Sequence, residues 1–266
     1  MVCSIKVDGQ KVVYRRFHHG RKTILLIHGF AIGAEIWTTV LPHLTDYTVI
    51  TLDLPGYGLN RFHSGGPSII EQAGFVHRFI ETYRPVDYLV GYSFGGRIVY
   101  KLCETYNLSV KKVICIAAPF FTHSHAKYAI RQTLVNFTKT AVLSKSALYL
   151  GTTNPTYKQI IKRWKLADVN NTSLLTKVKS YARRKHNYQK VVWGMADVFQ
   201  PFVRKPLLFR NIFFIYGQHD GSATYSRTLS VAGNSKRIFM IPHVYHLIPL
   251  EAAEDLADVL KRMLPS

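Results

Sequence analysis

Acidic residues are scarce in this 266-residue chain: 15 Asp and Glu stand against 35 Lys and Arg, a formal charge of +20 before any of the 12 histidines is protonated. Cysteine is scarcer. Cys3, Cys103 and Cys115 are odd in number and widely spaced, which argues against a disulfide framework and against a metal cluster. Cys103 and Cys115 lie in apolar segments and read as packing residues. No uninterrupted apolar run approaches the roughly 18 residues of a membrane span, so no transmembrane segment is expected. The opening residues, MVCSIKVDGQKVVYRRF, alternate like a strand and lack the charged region followed by an apolar region of a signal peptide. The expectation is a cytoplasmic protein.

What the chain does have is apolar residues, 47% of the total, enough to bury a large core. Its positive charge is unevenly placed. Between Phe120 and Lys205 there are 16 Lys and Arg against two acids, Asp168 and Asp197, a net +14; the remainder holds 19 basic and 13 acidic residues. Such a surface attracts acidic proteins, anionic headgroups, nucleic acid or anionic substrates. Clusters such as Arg183-Arg184-Lys185-His186 come with no recognised nucleic-acid module, so nucleic acid is not the expected partner.

Short apolar runs rich in β-branched and aromatic residues recur at Thr23–His28, Tyr47–Leu52, Asp87–Val90, Lys112–Ala117, Ile212–Tyr216 and Arg237–Ile241. Helical stripes lie between them: Ile69, Ala73, Val76, Ile80 and Tyr83 recur at helical spacing, as do Ala253, Leu256, Ala257, Leu260 and Leu264. Strands buried on both faces and separated by helices predict an α/β fold, a mostly parallel central sheet flanked by helices. Asp8-Gly9 predicts an opening hairpin that adds antiparallel strands at one edge. The alternation stops at Pro119 and resumes near Asn211. The expected organisation is therefore a core of residues 1–119 and 206–266, with a helical, strongly basic cap at 120–205 inserted between two late strands.

Gly91-Tyr92-Ser93-Phe94-Gly95 follows one of these strands and precedes a helix with the apolar face Ile98, Val99, Leu102, Cys103 and Tyr106. A G-x-S-x-G run in that setting predicts a sharp elbow that lifts the serine hydroxyl clear of the sheet, with Gly91 and Gly95 where a side chain would collide. A serine needs a base, and the base an orienting acid. Asp220, after IFFIYG, is the only acid between Asp197 and Glu251. His243 and His246 both lie in the loop after RIFMIP, and either could supply the imidazole. The backbone N–H groups of Phe94, next to the serine, and Phe30, after TILLIHG, are the candidates for an oxyanion hole.

Taken together, LLIHGF at Leu25–Phe30, DLPGYG at Asp53–Gly58, GYSFGG at Gly91–Gly96, YGQHD at Tyr216–Asp220 and IPHVYHLIPLEAAEDLADVL at Ile241–Leu260 resemble the α/β-hydrolase superfamily in its single-domain, cap-bearing branch. In that family the catalytic His typically lies four residues after the Pro ending the last strand, with a Glu five residues further on; His246 and Glu251 match Pro242. The resemblance implies a serine hydrolase with Ser93, Asp220 and His246 as its triad and no metal or organic cofactor. It makes His243 a loop residue and Asp53 a structural one. A carboxylesterase acting on a small-molecule or short-acyl ester is the expected activity. The alternatives are a carbon–carbon bond hydrolase of a diketone, an esterase or thioesterase acting on acyl groups of an acidic carrier protein, and a ligand receptor or scaffold on the same fold. Against a role for the basic cap stands the plain reading of its charge as a solvated face.

Overall fold

The computed structural model describes residues 1–30, 33–60, 68–121 and 207–266. Strands β1 (Val2–Val7) and β2 (Gln10–Phe17) form the predicted hairpin, and both turn residues take positive φ, 49° at Asp8 and 77° at Gly9. That pairing of signs makes a tight two-residue turn whose twist matches the strands, with Val7 opposite Gln10. β3 (Lys22–Ile27), β4 (Tyr47–Leu52), β5 (Tyr88–Tyr92), β6 (Lys112–Ile116), β7 (Ile212–Gly217) and β8 (Ile238–Ile241) run parallel to one another. Among the described residues the sheet has eight strands in the order β1-β2-β4-β3-β5-β6-β7-β8, with β2 antiparallel to β4.

Every residue of β4 and β5 is buried, as expected of central strands covered on both faces. Side chains divide by the two-residue period. Leu25, Ile27, Ile50 and Leu89 point to the face covered by α1 (Ile69–Tyr83) and α2 (Phe94–Thr105). Ile24, Leu26, Val49 and Val90 point to the other, where Leu256, Ala257 and Leu260 of α5 (Ala253–Met263) pack. The α3 helix (Tyr225–Ala232) follows β7, and the single turn α4 (Ile248–Glu251) precedes α5.

Helix ends follow local chemistry. At α1, the Ser68 hydroxyl accepts the Glu71 N–H and the Glu71 carboxylate accepts the Ser68 N–H, a reciprocal cap, and Pro85 follows the end. At α3, Thr224 caps the start and Gly233, at φ 67°, ends it. The α2 helix differs. Ser93 occupies its N-cap position, yet its side chain makes no capping bond.

Several boundaries depart from expectation: His28, Asp87, Ala117 and Arg237 all fall outside the strands. His28 closes the run read as a strand, but the ladder ends at Ile27, and the fully buried His28 ring bonds the Gly29 carbonyl and the Leu54 N–H. Asp87 opens the next run and lies one residue before β5; its N–H donates to the Thr23 carbonyl at 3.0 Å and its carbonyl accepts the Lys111 N–H at 2.7 Å, while its carboxylate accepts the Thr23 N–H at 2.9 Å and pairs with Lys111 at 3.0 Å, so it braces the strand ends. All three cysteines are free, and Cys103 and Cys115 are buried, as packing residues should be. Apart from Phe120 and Phe121, both buried, the expected cap at 120–205 lies outside the described residues. No helix among the described residues is long and apolar enough to cross a membrane.

Candidate active site

The loops that leave β3, β5, β7 and β8 at their C-terminal ends converge. At the end of β5 the chain turns through Ser93, whose backbone sits at φ 52° and ψ −114°, a conformation costly for any residue with a side chain. The turn is possible because of its flanking glycines. A Cβ on Gly91 would lie 2.3 Å from the Gly95 carbonyl oxygen, and one on Gly95 would lie 2.4 Å from the His28 carbonyl oxygen. Both obstacles are backbone and cannot rotate away. The Ser93 N–H still bonds the Ile116 carbonyl at 2.8 Å, so the elbow is anchored to β6.

Freed from capping α2, the Ser93 hydroxyl stands 2.9 Å from His246 Nε2. His246 Nδ1 lies 2.7 Å from Asp220 Oδ2. Asp220 and His246 are both buried, and Ser93 is partly exposed. Oδ1 of Asp220 accepts the N–H groups of Ser222 at 2.7 Å and Ala223 at 3.0 Å and the Ser222 hydroxyl at 2.8 Å. Burial alone would raise the Asp220 pKa, but His246 and these donors outweigh it and hold the carboxyl below its usual range. A hydroxyl, an imidazole and an ionised carboxylate in line can move a proton from Ser93 to Nε2 while Asp220 stabilises the cation that forms.

The His28-Gly29-Phe30 loop borders this group. A Cβ on Gly29 would lie 3.2 Å from the Ser93 Cβ and 2.9 Å from the Tyr92 ring, so backbone passes directly beside the serine. The His28 ring holds the loop in place: Nε2 accepts the Leu54 N–H at 3.0 Å, which leaves Nδ1 to donate to the Gly29 carbonyl at 2.7 Å. Phe30 and Phe94 meet edge to face with ring centroids 6.4 Å apart. Phe94 is the first residue of α2, so its amide lies at the positive end of that helix.

Other predicted residues fall elsewhere. The His243 ring lies near His219 at 6.1 Å, on an exposed turn, and takes no part in the Ser93 group. Asp53 receives Arg15 Nη1 at 2.9 Å and the Ala34 N–H at 2.9 Å, a structural tie. Ser222 is the residue the sequence reading missed. Its hydroxyl lies 2.9 Å from His246 Nδ1 as well as 2.8 Å from Asp220, and a serine two positions after an aspartate carries no signal of that. Arg227 supports the same turn, donating at 2.9 Å to the carbonyls of both Gly221 and Ser222.

A family model described as the alpha/beta hydrolase fold matches residues 22–253. Among curated proteins, the chain is 42% identical over 98 residues to the dihydrolipoyllysine-residue acetyltransferase component of the acetoin cleaving system of Cupriavidus necator, covering 36% of this chain and 26% of that one. It is 29% identical over 114 residues to a pimeloyl-[acyl-carrier protein] methyl ester esterase of Edwardsiella ictaluri, covering 42% of this chain and 43% of that one. Both matches thus span less than half of the curated relative. Among solved structures, a thermophilic esterase from Thermogutta terrifontis superposes with a TM-score of 0.73 at 15% identity, over 99% of this chain and 98% of that one.

Proposed function

The chain belongs to the alpha/beta-hydrolase family, and on that premise we propose that it is a serine hydrolase cleaving carboxylic esters of small or short-chain acyl groups. The observation that carries this is the unbroken line from Ser93 Oγ to His246 Nε2 at 2.9 Å and from His246 Nδ1 to Asp220 Oδ2 at 2.7 Å. In this reading Ser93 attacks the acyl carbon as His246 takes its proton. The carbonyl electrons move onto oxygen, and the Phe30 and Phe94 N–H groups donate hydrogen bonds to the oxyanion. Collapse expels the alkoxide, which leaves with the proton from His246, and water then releases the acyl group by the same steps.

A fluorophosphonate probe tests the assignment. The parent should be labelled and Ser93→Ala should not; an unlabelled parent would turn the reading towards a receptor or scaffold. Among p-nitrophenyl esters, the shortest chains should turn over fastest. Turnover of a diketone but of no ester would replace the ester reading with carbon–carbon cleavage.

A second reading places the acyl group on an acidic carrier protein. It is supported by the esterase relative from Edwardsiella ictaluri and by the net +14 between Phe120 and Lys205. It requires that the KM for a carrier-linked ester rise steeply with salt while the KM for a neutral free ester does not. Equal salt dependence would remove it.

A further inference from the structure

His246 lies in the loop between β8 and α4, where a catalytic base needs support from outside the loop to keep its geometry. Side chains bind three backbone groups around it. Glu251 Oε2 accepts the Tyr245 N–H at 2.9 Å and Oε1 accepts the Leu247 N–H at 3.0 Å, so one carboxylate straddles the residue between them. The His246 carbonyl accepts the Tyr92 hydroxyl at 3.2 Å. Tyr92 directly precedes Ser93; it is buried, with its ring edge to face with Trp37 at 6.2 Å and 5.6 Å from the imidazole.

We propose that Glu251 and Tyr92 are positioning residues that hold His246 in hydrogen-bond range of Ser93. Glu251 does so by clamping the amides on either side of the base, and Tyr92 by tying the base to the strand that carries the nucleophile. The proposal rests on the catalytic reading of Ser93, Asp220 and His246 given above. Both oxygens of Glu251 are needed as acceptors, a demand that only the ionised carboxylate meets fully. Burial pushes the Glu251 pKa up, while the two amides and His246 pull against that rise.

The test compares the full-length parent with three variants. Glu251→Gln preserves size but turns an NH2 group towards one of the two amides. Tyr92→Phe removes only a hydroxyl. Tyr47→Phe is the control: it removes another buried hydroxyl, bonded to the Leu264 carbonyl at the N-terminal end of β4, away from the strand end that carries Ser93. With a short-chain p-nitrophenyl ester, kcat should fall about tenfold in Glu251→Gln and about threefold in Tyr92→Phe, with KM within about twofold of the parent. Tyr47→Phe should lower Tm and leave kcat unchanged. The low-field proton NMR signal of the His246 Nδ1–H should broaden in Glu251→Gln and persist in Tyr47→Phe. Should Glu251→Gln fail to fold, Tyr92→Phe decides alone. Parent-like kcat in the folded variants overturns the proposal and leaves the catalytic reading intact. A parent that the fluorophosphonate does not label overturns the catalytic reading first, and this proposal with it.

Discussion

Asp53 and Asp220 occupy matching places in the sheet, one just beyond the end of β4 and the other just beyond the end of β7. Their exposure is similar, 1% and 4%, and each accepts backbone amides, from Ala34 and Leu59 at Asp53 and from Ser222 and Ala223 at Asp220. Burial would raise both pKa values, yet the surrounding donors and charges hold both below the usual carboxylate range. They differ in where their hydrogen bonds lead. Asp53 meets Arg15 at 2.9 Å, a cation that does not give up its proton, so the pair ties the loop to β2. Asp220 meets His246 at 2.7 Å, an imidazole that can gain or lose one. A buried, depressed carboxylate is therefore only a held charge; in the proposed mechanism the line from Asp220 through His246 to Ser93 is what makes one of the two part of a reaction centre.

The sharpest way to break this comparison is to neutralise each aspartate in turn. Asp220→Asn should reduce kcat by about 10³- to 10⁴-fold in a folded protein, measured as ester turnover, because the amide no longer stabilises the imidazolium. Asp53→Asn should instead leave activity per folded molecule near the parent. Its cost should appear in urea unfolding, at about 2–4 kcal/mol, since Arg15 loses its nearer carboxylate and keeps Glu35 at 3.3 Å. Equal losses of kcat in the two variants would contradict the division of roles.

Acid should treat the two alike. Both carboxyls have folded pKa values below the unfolded value of about 3.9, so the unfolded chain binds more protons over that interval. Their contribution is fully present above the unfolded pKa and is lost as pH falls through the folded ones. Urea midpoints should accordingly drop as pH falls below about 4, and either Asn variant should flatten that slope. The smallest expected effect is at Ser222. Ser222→Ala removes one of three donors to Asp220 Oδ1 while both amides remain, and should lower kcat by about three- to fivefold with little change in Tm. No change in kcat would make that hydroxyl a spectator.

Much of the scaffold was legible. Tyr47–Leu52 and Ile69–Tyr83 appear at their predicted bounds because a run buried on both faces and a helical stripe are periodic signals that neighbours along the chain carry. Gly91 and Gly95 were legible for a steric reason, which the structure makes specific: each faces a carbonyl oxygen that a Cβ would strike. The strand reading of His28 ran one residue past the ladder, and its ring finds the Leu54 and Gly29 backbone groups, contacts that no residue pattern announces. Ser222 was missed for the same reason. Its hydroxyl matters only because the turn after β7 faces the loop after β8, with Gly217 so close that a Cβ there would lie 2.3 Å from the Tyr245 carbonyl oxygen.

By itself, then, the sequence determined which segments become strands, where the serine elbow falls, and that a lone aspartate and a pair of histidines follow the last two strands. Those features depend on side-chain size, polarity and spacing, which act over a few residues. The resemblance chooses His246 over His243 from its spacing after Pro242; only the tertiary structure decided that Asp53 pairs with Arg15 and that Glu251 and Tyr92 grip the backbone around the imidazole. These are hydrogen bonds of about 3 Å between residues as far as 154 positions apart, and the longest in range, from Tyr92 to His246, forms only once the parallel strands are in register.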